Sequence, residues 1–174
     1  MSRFLRLVSL VFALTVALVV PAGASAKPSS TTFAIRGFEY AFTPTVGYFA
    51  GSGMGNAGDR AAWNTRVEHD PLGSTPTFIN GGSFQMATRS PAGMYDFVTG
   101  TFVYHGGMIT TIDPGTNCMN QQFHVFGELE HVSTSTTSGG TGSFDVTLTH
   151  HRAPLLGRCF TYSASVVGTV SFSY

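Results

Sequence analysis

Residues Cys159 to Tyr174 read CFTYSASVVGTVSFSY. Phe160, Tyr162, Ala164, Val166, Gly168, Val170, Phe172 and Tyr174 share one parity, while the other, after Cys159, carries Ser and Thr with the single exception of Val167. A period of two sends alternate side chains to opposite faces of an extended chain, so the stretch predicts a strand with one apolar and one wet face. Its length is unusual. Sixteen residues at roughly 3.3 Å each span about 53 Å, about three times an ordinary strand.

The same alternation recurs upstream. In FDVTLTH, Phe144, Val146 and Leu148 oppose Asp145, Thr147 and Thr149; in FHVFGELEHV, Phe123, Val125, Gly127 and Leu129 oppose His124, Glu128 and Glu130, with Phe126 out of step. Strand-like runs are expected at Thr32 to Phe42, Val46 to Gly51, Thr77 to Thr88, Phe97 to Ile112 with a break at Gly106-Gly107, Gln121 to Val132, Gly142 to His151 and Gly157 to Tyr174. AAWNTRVEH, Ala61 to His69, reads as either a short helix or a strand. Turn formers separate the runs (GSGMGNAGD, DPLGSTP, RSPAG, DPGTN, STSTTSGGTG, RAPLLG), at intervals too short for crossover helices.

The fold class is therefore all-β, with antiparallel strands that must close or stack because open edges aggregate. Two architectures fit: a single up-and-down barrel of about eight strands, or a two-sheet sandwich. Strand length favours the barrel, of calycin-like or lipocalin-like shape on strand count and length alone. Glycines inside the runs, among them Gly100, Gly106, Gly127 and Gly168, read as bends of barrel staves. Gly168 would divide the final ribbon into two bent halves.

Arg3 and Arg6 precede an apolar run of 14 residues, Leu7 to Val20, and Ala24-Ser25-Ala26 supplies the small residues of a signal-peptidase site. The run is shorter than the ~20 residues that span a bilayer as a helix, so residues 1–26 read as a signal peptide cleaved after Ala26. Residues 27–30 form a short polar leader, and 31–174 the barrel domain. Removing 26 of the 174 residues leaves 148, enough for one domain. Seven of the nine Lys/Arg then face nine Asp/Glu. With no basic cluster, nucleic acid is not an expected partner. Charged residues make up only 10% of the chain, against about 25% in ordinary domains, and Ser, Thr and Gly supply the polarity. Cys118 and Cys159 are the only cysteines. In an exported chain they predict a disulfide, since no CxxC or CxH spacing suggests metal.

No motif dictates a chemistry. GMGNAG, Gly53 to Gly58, matches GxGxxG, but a chain of antiparallel strands offers no βαβ unit, and the segment reads as a glycine-rich loop. Six histidines lack the i, i+2 spacing of strand-borne zinc ligands, and no metal or cofactor is expected. Aromatics are in excess. Phe102, Tyr104, Phe123, Phe144, Phe160, Tyr162 and Phe172 are candidates to line a barrel interior, which at about eight strands is either filled or holds one small ligand. The first functional expectation is thus an exported module binding a small apolar or aromatic molecule. A second is a cofactor-free isomerase or cyclase using His124, Glu128 and Tyr104 for acid–base work. A third, less favoured, is a small outer-membrane barrel, with Phe160 to Tyr174 facing lipid and the Ser/Thr parity facing the lumen.

Overall fold

A computed structural model describes residues 30–74 and 76–174; the expected signal peptide lies outside the described residues. Eight strands follow one another around a closed barrel: β1 (Ser30–Thr43), β2 (Val46–Gly55), β3 (Arg60–His69), β4 (Thr77–Arg89), β5 (Tyr95–Asp113), β6 (Gln121–Ser133), β7 (Gly140–Leu155) and β8 (Arg158–Ser173). Each pairs antiparallel with its sequence neighbours, and β8 returns to pair with β1. This is the up-and-down barrel, not the sandwich. Around the closed part of the barrel every strand is paired on both sides, which answers the aggregation hazard of so many half-apolar strands.

The ambiguous AAWNTRVEH is a strand, because Ala61, Trp63 and Val67 fall on one parity and are buried. GMGNAG is not wholly a loop: β2 runs through Gly55, and Asn56 to Asp59 make the turn into β3. No helix follows it, so the dinucleotide resemblance has no structural counterpart. β5 is continuous across Gly106-Gly107, but its pairing with β6 slips between Phe102 and Gly107 around His105, whose φ is 57°.

The long final ribbon has two parts. From Ser165 to Ser173, β8 is paired with β1 on one side and β7 on the other. Before that, Arg158 to Ser163 pair only with β7, from His151 to Leu155, while β6 stops pairing with β7 at His150. The first half of the stretch therefore forms a two-stranded ribbon projecting past the barrel rim. A disulfide between Cys159 and Cys118 ties this ribbon to a single 3₁₀ turn, Thr116–Cys118, in the β5–β6 loop. Gly168 does not divide the strand. It lies opposite Ile35 and Val146 within an unbroken β8, where an added Cβ would meet the Asp145 carbonyl oxygen at 2.2 Å and the Val146 Cα at 2.5 Å. Its missing side chain lets β7 and β8 lie close, the role of a packing glycine more than of a hinge.

Inward parity carries the core. The Phe172 ring lies 6.2 Å from that of Phe33 and 5.4 Å from that of Phe84, and with Val132, Met86 and Val98 these rings plug the end of the barrel that holds Tyr174. Burying each such side chain contributes roughly 1.5–3 kcal/mol. On β8, Ala164, Val166, Val170 and Phe172 are buried while Ser163, Val167, Thr169 and Ser173 are exposed. This is the reverse of the facing that the outer-membrane alternative needs. Among the described residues no helix is long and apolar enough to cross a membrane.

Candidate functional site

Of the aromatic residues expected to line the interior, Phe102, Phe123 and Phe172 are buried, and Phe144 packs against the core with its ring 5.2 Å from that of Phe102. Tyr104, Phe160 and Tyr162 are 69%, 57% and 64% exposed and line nothing. The reasons are local. The slip around His105 turns Tyr104 outward, where it stacks on the His105 ring; Phe160 and Tyr162 sit on the projecting ribbon, where no third strand covers either face. Strict parity misleads wherever a bulge or a strand overhang intervenes.

The acid–base trio fares similarly. His124 lies on the outer wall, its Nε2 3.0 Å from Asp145 Oδ1, and stacks on Phe126. Glu128 is exposed further along the same wall, and Tyr104 stands in the β5 bulge. These side chains do not converge on a concave site, so they offer no common centre for catalysis.

The concave site lies inside the barrel. Between the aromatic plug and the opposite rim is a cavity of about 90 Å³, walled mainly by Phe49, Trp63, Val67, Phe102, Leu129, Phe144, Val146 and Val166. It reaches the surface beside Leu72 of the β3–β4 loop, which is partly exposed. Trp63, the only tryptophan, is 4% exposed and donates its indole N–H to the Ser52 carbonyl at 3.1 Å. A larger depression, about 950 Å³, runs over the outer wall between Phe38 and Phe97 but gathers a single charged side chain, Arg36.

Apart from Thr65, whose hydroxyl donates to the Ser83 carbonyl at 2.8 Å, the polar side chains of the cavity gather toward the open rim. His69, Glu39 and His150 line the cavity from β3, β1 and β7. The His150 Nε2 and a Glu39 carboxylate oxygen are 3.7 Å apart, with their side chains 14% and 9% exposed. Local structure explains the placement. Glu39 is directly opposite Phe49 on β2, and the register slips immediately after it, leaving Tyr40 as the extra residue of a bulge. Gly47 opens the space the two side chains share, since a Cβ there would lie 2.6 Å from the Phe49 ring and 2.9 Å from Glu39 Oε1. On β7, His150 continues the inward parity of Val146 and Leu148, and Phe123 meets its ring edge-on at 5.3 Å.

Burial pushes the Glu39 carboxyl up to about 7. Burial, with help from the nearby positive charge of Arg152 and from His151, holds His150 below the usual imidazole range. Both changes favour the uncharged forms, as desolvation requires. At neutral pH the rim thus holds a neutral imidazole and a carboxyl near its midpoint. Among the described residues no group of three His, Cys, Asp or Glu side chains is arranged to hold a metal ion.

These two residues were missed in the sequence, although a signal was present. In FAIRGFEY, Glu39 shares the parity of Phe33, Ile35 and Gly37, and in FDVTLTHH, His150 shares that of Phe144, Val146 and Leu148. A titratable residue on the apolar parity is the mark of a polar group turned into a core. Comparison of the chain with protein-family models, curated proteins and solved structures finds no match.

Proposed function

We propose that this protein is an exported β-barrel that binds one small apolar or aromatic molecule in its interior. The observation that carries the reading is the unfilled apolar middle of a barrel plugged at one end by Phe33, Phe84 and Phe172 and accessible at the other beside Leu72. Concave, mostly apolar sites with a few convergent polar groups are the usual form of small-molecule sites. Export is supported by the signal-like N-terminus and by the Cys118–Cys159 disulfide, which belongs in an oxidising, extracytoplasmic setting.

Size limits the occupant. The cavity is about 90 Å³, whereas an engineered apolar cavity that takes benzene is about 150 Å³. The guest is therefore smaller than benzene unless Leu72 and its loop move aside. Trp63 reports on the site, being the only tryptophan and part of the cavity wall. Titration with ethanol, 1-propanol and cyclopropane, all smaller than benzene, should shift Trp63 emission saturably, with one-to-one complexes in native mass spectrometry. If none of the three changes the emission or forms a complex, interior binding is wrong.

A further inference from the structure

We propose that the interior site takes a small primary amine as its ammonium ion, with the nitrogen seated between Glu39 and His150 and the alkyl group in the apolar cavity. This deepens the binding function proposed above and rests on it. The first argument is geometric. Glu39 is about nine-tenths buried, and it forms no hydrogen bond with His150, whose Nε2 is 3.7 Å away. That separation is too long for one hydrogen bond, yet it leaves both acceptors within reach of one donor group set beside them. An ammonium group carries three N–H donors and can supply both bonds at once.

The second argument concerns charge. Glu39 is the only acidic side chain lining the cavity, and no Lys or Arg lines it. A carboxylate buried without a cation is costly, and a cationic guest supplies the missing partner. The third is the wall itself. Phe49, directly opposite Glu39 on the neighbouring strand, and Trp63 and Phe144 line the same space, and aromatic faces attract cations. A neutral alcohol of the same shape gains the apolar contacts but not the charge pairing.

The titratable groups that face Glu39 are His150 from β7 and His69 from β3. Behind them, Arg152 and His151 bear on His150. Acidification protonates Glu39 and then charges His150, and both effects weaken amine binding.

The test compares propylamine with 1-propanol, both smaller than benzene, read by Trp63 emission and by amide NMR shifts of the purified protein. At pH 8.5 the amine should bind at least about tenfold more tightly than the alcohol, a preference of about 1.4 kcal/mol. The preference should shrink as pH falls to 5.5. Glu39→Gln should abolish the amine preference while the amide spectrum stays dispersed. Equal affinity of amine and alcohol at pH 8.5, or an unchanged preference in Glu39→Gln, overturns the assignment and leaves interior binding standing. If neither compound binds, the amine site and interior binding both fall.

Discussion

Glu39 makes a stability prediction independent of any ligand. Burial raises its carboxyl from 4.5 to about 7, so between those values the folded protein keeps a proton that the unfolded chain has released. Stability must then fall as pH rises through that window, with the whole cost present above pH 7, on the order of 3 kcal/mol at about 1.4 kcal/mol per pH unit. His150 acts in the opposite sense: its depressed value makes the folded state lose stability as pH drops below 6.5. Glu39→Gln removes the first effect and keeps the second. Chemical denaturation should find the variant more stable than the parent by about 2 kcal/mol at pH 8, allowing for the cost of burying an amide, and nearly equal to it at pH 4.5. A variant less stable than the parent at pH 8 would mean that Glu39 is not desolvated. A residue that costs stability where it stands is the usual mark of a site kept for function.

At the scale of elements, much of the barrel was legible because alternation is a direct print of facing. Seven strands follow from β-rich runs bounded by turn formers, several of them alternating cleanly, and even the ambiguous β3 resolves once Ala61, Trp63 and Val67 are seen to share a face. Three kinds of detail were not legible. The bulges after Glu39 and around His105 shift parity, and positive φ at a non-glycine such as His105 has no signature in a strand pattern. The overhang of β7 and β8 beyond the rim is invisible because pairing partners are not written in the strand itself. Gly168 was read as a bend because glycine within a strand can mean either a bend or a close approach, and only the neighbour decides. That distinction is measurable. An alanine methyl at 168 would meet the backbone of Asp145 and Val146, which no rotamer change relieves, whereas at Gly53 the nearest atoms are 3.2 Å away. Gly168→Ala should cost about 2–3 kcal/mol in urea denaturation, and Gly53→Ala distinctly less, about 1 kcal/mol. Equal costs would return Gly168 to the role of a hinge.

The whole molecule is asymmetric along the barrel axis, and this asymmetry links stability to the site. One end is sealed by the aromatic plug, and closure depends on β1 meeting β8 over the half of β8 nearest that end, from Ser30–Ser173 to Phe38–Ser165. The other end holds Glu39, His150, the accessible cavity and, beyond the rim, the ribbon fastened by Cys118–Cys159. Contacts so distant in sequence are costly to form, because loop-closure entropy is lost before they give anything back. The disulfide shortens part of that search. Its cysteines are 41 positions apart, and a loop of about that length is worth about 4 kcal/mol in the chain-entropy account. It crosses none of the β1–β8 ladder, so it acts chiefly on the unfolded chain. The double substitution Cys118→Ala with Cys159→Ala should therefore lower unfolding free energy by about 3–4 kcal/mol. The near-ultraviolet signal of buried Trp63 should stay unchanged under native conditions. Loss of that signal without denaturant would mean that the tethered ribbon holds the cavity wall in place, and that the rim and the sealed end do not fold as separately supported parts of one barrel.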